Sequence, residues 1–339
     1  MPLYPQDRDT GFDITRLNHL HLDVTDLAES RRFYEEFVGL VVTEATDDAV
    51  YLRGIEEIQH HSLVLHRAAD AAVGRTGFRV AAPEDLDRLA EHFRARDLPT
   101  RFVDLPAQGR TLQVSDPQGV PVEFIAAMPV VGTRREVLDY TRKVGAAPPR
   151  FDHLQIRVPD ADSAVEFWAG LGFHTSEAAT ATGDADEPLQ VAFLERKGNA
   201  NDIVFSQGPG PKLHHFAFVV HDAPVTMLHL LDTAHTHGFK TNVEYGPNRH
   251  SIGTETTMNL RDPDGHRVEL LSHPYFVDAD EPTLLWSFAD PLAAVSLWGA
   301  EPELSWFTET SPMRGVRARE PETPTPMPGA PVQRVSHAG

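Results

Sequence analysis

The sequence predicts an α+β fold in which four βαβββ modules pair into two domains with cupped sheets, followed by an aromatic C-terminal extension. Three observations predict this fold: motifs repeat between the halves, the order of one strand, one helix and three strands occurs twice within each half, and the tail differs in composition. Because one βαβββ module cannot cover both faces of its own sheet, we expect modules to pair, with helices outside and a pocket inside.

The repeat between the halves is visible in two pairs of segments. Residues 18–26 read NHLHLDVTD and residues 152–160 read DHLQIRVPD, and in both copies a helical pattern follows. Residues 116–124 read DPQGVPVEF and residues 262–270 read DPDGHRVEL. A repeat of this kind indicates two similar domains in one chain.

The same pattern sets the domain limits. We predict an N-terminal domain over residues 14–130 and a C-terminal, catalytic domain over residues 150–280. Residues 281–318 contain three of the four tryptophans, which predicts a lid over the pocket or an oligomer contact. Residues 319–339 are rich in proline and are predicted to be disordered.

Composition excludes several classes of function. The chain has 30 Lys+Arg against 50 Asp+Glu, a net charge of −20, which gives no basic surface for nucleic acid or an anionic membrane. No apolar run approaches the ~18 residues of a membrane span, and the first residues contain no signal-peptide core, so we expect a cytoplasmic protein. Without cysteine, a transition-metal site would have to use histidine and carboxylate ligands, and the chain has 18 histidines.

Strand alternation selects three side chains that point into the cup. In FDHLQIRV the apolar residues suit the helix-covered face, which leaves His153 on the concave face. The same argument selects His215, rather than His214, in KLHHFAFVV and Glu269 in HRVELL. Any one of them alone would more often be a hydrogen-bonded structural residue. Together they form the two-histidine, one-carboxylate facial triad of non-haem Fe(II) oxygenases.

The first half of the repeat offers an internal comparison. His19 matches His153 and Glu123 matches Glu269, but Gly77 stands where the second half has a histidine. We therefore predict an N-terminal domain without metal, with His19 and Glu123 as relics or structural residues.

Several segments resemble a known family: VTDLAESRRFYEEFVGL, RFDHLQIRVPD, GPKLHHFAFV, and NRH followed by DPDGHRVEL. They resemble the vicinal oxygen chelate superfamily, and most closely its two-domain extradiol ring-cleavage dioxygenases of the homoprotocatechuate 2,3-dioxygenase type, over about residues 14–311. The resemblance implies Fe(II), or alternatively Mn(II), on His153, His215 and Glu269. It also implies a small aromatic substrate, O2 as co-substrate, and a homo-oligomer, specifically a homotetramer.

The chain departs from that family at two positions of the pocket. The family usually has a histidine where Asn201 stands and a tyrosine where Asn259 stands, whereas His250 is retained. Because an amide does not exchange a proton near neutral pH, and a placed acid or base is typically worth ~10²–10⁴-fold in rate, these changes bear on catalysis. We predict His250, Asn201 and Asn259 as the catalytic residues. Neutral drift in an active enzyme is the alternative reading of the two asparagines.

Further substitutions bear on the substrate. Arginines that hold a substrate carboxylate in the family are absent, with Tyr245 at one of their places and Ala294 near another. Phe193 replaces a tryptophan, Gln155 replaces an asparagine, and Arg249 remains. We predict Gln155, Phe193, Tyr245 and Arg249 as substrate-binding residues and a substrate without a carboxylate handle.

Three functions therefore remain open. The first is an extradiol-type dioxygenase, an oxidoreductase of aromatic compound metabolism that opens a catechol or related ortho-dioxygenated ring. The second is a metal-dependent oxygenase, or a Lewis-acid lyase or isomerase, acting on a non-catechol phenolic or biosynthetic intermediate. The third is a non-catalytic binding protein, against which the complete ligand triad argues. Oxygen consumption separates the first function from a Lewis-acid enzyme.

Overall fold

The computed structural model describes residues 9–133, 137, 143–278 and 280–322, and it confirms the predicted α+β fold. Each half of the chain forms one sheet, and each module contributes one strand, one helix and three further strands in that order. The predicted disordered tail lies outside the described residues from residue 323 onward.

The N-terminal sheet has eight strands in the order β2-β3-β4-β1-β5-β8-β7-β6. The central strands β1 and β5, which begin the two modules, pair antiparallel. The strands are β1 Ile14–Val24, β2 Val41–Ala45, β3 Ala49–Arg53, β4 Leu63–Arg67, β5 Ala72–Val80, β6 Arg101–Leu105, β7 Gly109–Ser115 and β8 Pro121–Ile125. The helices are α1 Leu27–Arg32, continued by a π-helical turn Phe33–Val38, and α2 Pro83–Arg94.

The C-terminal sheet repeats this order as β10-β11-β12-β9-β13-β16-β15-β14. Its strands are β9 Arg150–Val158, β10 His174–Thr180, β11 Leu189–Glu195, β12 Ile203–Gln207, β13 Lys212–Val219, β14 Val243–Arg249, β15 Thr256–Arg261 and β16 Arg267–Leu271. The covering helices are α3 Ala161–Ala169 and α4 Ala223–His237, and a 3-10 turn follows at Lys240–Asn242.

The C-terminal extension wraps around this second sheet. It adds one strand at each edge, β17 Leu284–Ser287 beside β10 and β18 Trp298–Gly299 beside β14, and a third, β19 Ser311–Pro312, against β13. Two short helices lie between these strands, α5 Pro291–Val295 and α6 Leu304–Thr308. Among the described residues, no helix combines the length and the apolarity that a membrane span requires.

The repeated aspartate of VTD and VPD explains where the first helix of each half begins. Asp26 accepts hydrogen bonds from the amides of Ala28 and Glu29, and Asp160 accepts one from the amide of Ser163. An aspartate at this position satisfies amides that have no partner within the helix. The motif therefore fixes the turn from strand to helix in both halves.

The two halves are joined by a reciprocal pair of hydrogen bonds. The Tyr34 hydroxyl donates to Asp262 at 2.9 Å, and the Trp168 indole N–H donates to Asp116 at 3.2 Å. Tyr34 and Trp168 are equivalent in the repeat, as are the two aspartates, which begin the DPQG and DPDG turns. Each half thus inserts an aromatic residue of its first helical segment against the other half, and one hydrophobic core runs through both.

Candidate metal centre

The three predicted ligands lie on neighbouring strands of the C-terminal sheet. His153 is on β9, His215 on β13 and Glu269 on β16, and these strands are adjacent in the sheet. All three side chains are buried on the concave face. Each offers one ligand atom, and these atoms all lie within 4.8 Å of one another. The structure therefore brings together the residues that strand alternation selected.

The spacing of the three ligand atoms suits a metal ion. The two Nε2 atoms of His153 and His215 are 3.1 Å apart, and each lies 3.7 Å from Oε2 of Glu269. Ligands at about 2.1 Å from an ion, held at angles between octahedral and tetrahedral, would be roughly 3.0–3.4 Å apart. A small inward adjustment of the carboxylate is enough to share one ion.

Hydrogen bonds behind the two imidazoles set their tautomers. Nδ1 of His153 lies 2.8 Å from Oδ2 of Asp152, and a carboxylate can only accept there. Nε2 of His214 donates to the carbonyl of Trp306 at 2.7 Å, so Nδ1 of a neutral His214 is an acceptor. Nδ1 of His215 lies 2.8 Å from that acceptor and therefore carries the proton. With neutral rings, both chains of hydrogen bonds leave a lone pair on the inner Nε2 of His153 and of His215.

Burial favours the neutral form of His214 and His215 and makes the charged form of Glu269 costly. It lowers the pKa of His215 and the pKa of His214 well below the ordinary value, and it raises the pKa of Glu269. Two lone pairs and a buried carboxylate thus face one another, an arrangement that a divalent cation would stabilise. The donor set fits Fe(II) or Mn(II).

A largely apolar cavity lies beside the triad. Of the predicted substrate-binding residues, Gln155 and Phe193 line it, as does the predicted catalytic residue His250. The C-terminal extension closes one side with Trp306 and Phe307. The other lining residues are Arg157, Gln190, Val191, Ser206, Gln207, Gly208, Pro209, His214, Ile252, Phe288, Ala294 and Val295.

His250 lines this cavity, whereas Tyr245, a predicted substrate-binding residue, is not among its lining residues and contacts His250 instead. The Tyr245 hydroxyl lies 3.1 Å from Nε2 of His250. Burial lowers the pKa of His250 to about 4 and raises the pKa of Tyr245, so at neutral pH the phenol donates to a neutral imidazole. Tyr245 pairs in register with Asn259 on the next strand, and Asn259 with Glu269 on the strand after it. Tyr245 therefore places a phenol one strand away from Asn259, the position at which the family usually has a tyrosine.

The two asparagines take different places. Asn259 donates to Oε1 of Glu269 at 3.2 Å and accepts from the Trp306 indole at 3.4 Å, so it links the proposed carboxylate ligand to the C-terminal extension. Asn201 is buried just before β12, and its Oδ1 has no hydrogen-bond partner among the described residues. A buried amide oxygen without a partner is available to a donor that enters the site.

Arg249 is not brought to the cavity. Its guanidinium donates to the hydroxyl of Thr256 at 3.4 Å, and it does not line the cavity wall. Conversely, strand alternation placed His214 away from the cup, whereas His214 lines the cavity. The reason is an irregularity in the β9–β13 ladder between Leu213 and His215, which breaks the alternation there. The adjacent histidines of LHHF were the sequence signal for this residue.

Comparison with known proteins adds three findings. Residues 16–124 and 150–270 each match the Glyoxalase/Bleomycin resistance protein/Dioxygenase superfamily. A metapyrocatechase of Geobacillus stearothermophilus is 26% identical over 318 residues, covering 89% of this chain and 95% of the relative. A manganese-dependent 2,3-dihydroxybiphenyl 1,2-dioxygenase of Geobacillus genomosp. 3 is 25% identical over 287 residues, covering 81% and 90%.

Solved structures agree with these sequence matches. A variant of homoprotocatechuate 2,3-dioxygenase from B. fuscum, in complex with HPCA, is 31% identical and superposes with a TM-score of 0.87. The superposition covers 96% of this chain and 89% of that chain. The similarity therefore spans both halves and the C-terminal extension.

Proposed function

The chain belongs to the Glyoxalase/Bleomycin resistance protein/Dioxygenase superfamily, within it to the extradiol ring-cleaving dioxygenases, and from this premise we propose that it opens the ring of a catechol or a related ortho-dioxygenated aromatic using O2. One observation carries the proposal: two imidazole lone pairs and a buried carboxylate converge beside an apolar cavity. The metapyrocatechase and dihydroxybiphenyl relatives support the same chemistry.

We propose Fe(II) as the ion held by His153, His215 and Glu269, with Mn(II) as the alternative. A manganese-dependent relative supports that alternative. A divalent ion in this site would supply Lewis-acid binding for the two substrate oxygens and the redox chemistry that O2 requires. The protein's part is to hold three ligands on one side and leave the side facing the cavity open.

We propose that His250 and Tyr245 manage protons at the cavity. Neutral His250 accepts from Tyr245 at Nε2, so its Nδ1 carries the proton and can donate to an oxygen in the cavity. Tyr245 keeps its own proton and orients the ring by donating to Nε2. Asn201 and Asn259 can only donate and accept hydrogen bonds, so we assign them to orientation: Asn201 of a reacting oxygen and Asn259 of the Glu269 carboxylate.

The cavity wall favours a bulky and largely apolar substrate. Phe193, Ile252 and Phe288 lie on that wall, and Tyr245 holds one of the places where the family uses an arginine. Gln155, fixed by its bond to the Ser206 hydroxyl at 2.9 Å, is placed to contact the substrate's polar edge. We therefore propose a substrate without a carboxylate handle.

Arg157 favours a second candidate substrate class. Its guanidinium lines the cavity and donates to the carbonyl of Phe307 at 2.6 Å, while its buried Nε has no hydrogen-bond partner among the described residues. Burial lowers the pKa of Arg157 to about 10, and in the described part of the chain no carboxylate forms an ion pair with it. A substrate with an oxygen acceptor on this side, neutral or acidic, would satisfy the group.

Oxygen uptake with a substrate panel tests these proposals. The protein is loaded anaerobically with Fe(II) and offered catechols bearing apolar, carbonyl or carboxylate substituents, with an oxygen electrode and visible absorbance as readouts. We expect oxygen consumption with yellow ring-opened product, and little of either in His215→Ala. Turnover without oxygen consumption would favour a lyase or isomerase, and no turnover across the panel would contradict the proposed function. The preferred substituent decides between the two substrate classes.

We further propose that residues 281–318 form a lid and that the protein is a cytoplasmic homo-oligomer, specifically a homotetramer. The lid is supported by Trp306 and Phe307 on the cavity wall and by Arg267, which donates to the carbonyls of Ser305 and Glu309. The exposed Trp298 of the extension supports an oligomer contact, and the absence of cysteine fits a reducing compartment. Light scattering on the purified protein gives the oligomeric state.

A further inference from the structure

The concave face of the N-terminal sheet holds a second cluster of imidazoles. His19 and His21 lie on β1, and His61 lies just before β4. Each offers one ring nitrogen, and the three nitrogens lie within 4.8 Å of one another. His19 and His61 are fully buried, and His21 is only 9% exposed. The sequence repeat predicts a domain without metal, so the convergence of three buried ring nitrogens there calls for an explanation.

We propose that His19, His21 and His61, with Glu123 as a fourth ligand, hold a second divalent transition-metal ion of the zinc type. Three imidazoles and one carboxylate form a complete four-coordinate set for such an ion. Because the protein supplies all four ligands, the site is structural rather than catalytic.

Glu123 contacts two of the three rings directly and the third, His61, through the amide of Gln108. Its Oε1 lies 2.8 Å from Nε2 of His19 and 3.3 Å from Nε2 of His21, and its side chain is buried. The other carboxylate oxygen accepts from the amide of Gln113 at 3.0 Å. One carboxylate would balance part of the charge of a divalent ion that three neutral rings cannot balance.

Each of the three rings has its outer nitrogen bonded to another polar side chain. Nδ1 of His19 lies 3.0 Å from Asn18, Nδ1 of His21 lies 2.9 Å from Nε2 of His66, and Nδ1 of His61 lies 3.0 Å from Nδ1 of His60. Histidines that bind metals commonly have their outer nitrogen held in this way, which orients the ring. The cluster thus has the supporting contacts of a metal site as well as the ligands.

With a neutral His60, the contacts around His61 bring two hydrogen-bond acceptors together. Nε2 of His60 lies 3.1 Å from the carboxylate of Glu44, so a neutral His60 presents Nδ1 as an acceptor to His61. His61 then carries its proton on Nδ1, and its Nε2 lone pair faces Oε1 of Gln108 at 3.2 Å. Two acceptors in contact repel each other, and a bound cation removes that repulsion. The same order of contacts holds His214 and His215 in the other half.

Asn18 completes the pattern at His19. Its buried Oδ1 has no hydrogen-bond partner among the described residues, while its nitrogen faces Nδ1 of His19. Turning the amide by half a rotation brings Oδ1 to accept from Nδ1–H, which frees Nε2 of His19 to bind a metal.

The repeat shows how this ligand set differs from that of the other half. The strand registers make Arg75 the counterpart of His215 and Gly77 that of Ala217, so the predicted match of Gly77 with His215 is wrong. A Cβ on Gly77 would lie only 2.1 Å from the His19 ring, which therefore lies directly against the backbone of β5. The register of the parallel strands makes His61 the counterpart of Asn201, and His21 that of Gln155. The N-terminal cup has lost one ligand position and gained two others.

Zinc binding to the full chain tests the site. Metal-free wild-type protein and variants are titrated with Zn²⁺ by calorimetry, and Co²⁺ is used as a visible-absorption probe. We expect two Zn²⁺ per wild-type chain and one in His215→Ala. In the double variant His215→Ala/His61→Gln the affinity of the remaining site should fall by about 100-fold or more, because one ligand is lost. The exposed His229→Ala should match its parent.

Folding is monitored by circular dichroism, and His215→Ala/His21→Gln provides a second route if His61→Gln does not fold. One Zn²⁺ per wild-type chain with none in His215→Ala would overturn the proposal. The proposal would also be overturned if both double variants bound the remaining Zn²⁺ as tightly as His215→Ala does. Either failure leaves the extradiol function untouched, since that function depends on the triad of the other half.

Discussion

At the scale of single residues, the C-terminal cup has a phenol on the strand next to Asn259. Position 259 carries an asparagine bonded to Glu269, and Tyr245, its partner in the ladder, places a phenol on His250. Tyr245 is buried and His250 is half-buried, so bulk water competes only weakly for their hydrogen bond.

Tyr245→Phe tests whether that phenol supports catalysis. Removing the hydroxyl leaves His250 without the group that orients it, so we expect kcat to fall about 10–100-fold with a smaller change in KM. Steady-state kinetics with Fe(II)-loaded protein measures both constants. Tyr51→Phe removes a hydroxyl in the other half and should leave kcat unchanged. An unaltered kcat in Tyr245→Phe would assign the tyrosine to packing alone.

At the scale of elements, alternation along the strands made the three ligands predictable. It selected Glu269 on β16, whose ladders to β13 and β15 are regular, and also His153 and His215, although the β9–β13 ladder is irregular on both sides of Phe216. It failed at His214, where the ladder is irregular, since an irregular register cannot be read from alternating hydrophobicity.

The N-terminal cluster was missed for a different reason. The comparison of halves considered only the positions equivalent to the three predicted ligands, and His61 is not among them. His21 was accessible to sequence reasoning, because it lies two residues after His19 on one strand and so shares its face. The contribution of His61 depends on how β4 meets β1, which is a long-range contact.

One buried arginine adds side-chain contacts between the C-terminal extension and the C-terminal sheet. Arg267 is fully buried, forms two hydrogen bonds with Glu244 at 2.6 and 2.8 Å, and donates to backbone carbonyls at both ends of α6. Its position on β16, two residues before Glu269, ties the extension to the strand that carries the proposed carboxylate ligand.

Arg267→Met should therefore loosen both the ion pair and the extension. Removing one partner of a buried pair leaves the carboxylate of Glu244 without its main cation, which costs about 3–5 kcal/mol of the free energy of unfolding. Urea denaturation measures the loss, and Arg267→Met/Glu244→Gln should recover part of it. If the double variant is no more stable than the single one, the backbone contacts of the arginine dominate.

At the scale of the whole molecule, the two reciprocal bonds between aromatic residues and aspartates hold the halves together. Trp168 also packs on Phe78 of the N-terminal sheet, with ring centroids 4.9 Å apart, and Tyr34 on Phe216 of the C-terminal sheet at 6.3 Å. Both contacts are on the helix-covered faces of the sheets, away from the two cups.

The junction should make stability depend on pH. Burial raises the pKa of Asp116 to about 6, above the ordinary 3.8. The folded protein therefore binds a proton that the unfolded chain has released, and the stabilisation present below about pH 4 is lost as pH rises through about 6. This difference between the folded and the unfolded pKa of Asp116 corresponds to about 3 kcal/mol in the free energy of unfolding. Unfolding followed at pH 4 and pH 7 should show a smaller loss in Asp116→Asn than in the wild type. An equal loss in the two proteins would contradict this assignment.

The position of this junction has a consequence for how the two halves could diverge after the duplication that produced them. The hydrogen bonds of Tyr34 and Trp168 with their aspartates join the helix-covered faces of the two sheets. Substitutions could therefore change the ligands on either concave face without disturbing this junction. The C-terminal domain could then keep a metal site with open positions for chemistry, while the N-terminal domain acquired a fully coordinated site that stabilises the fold.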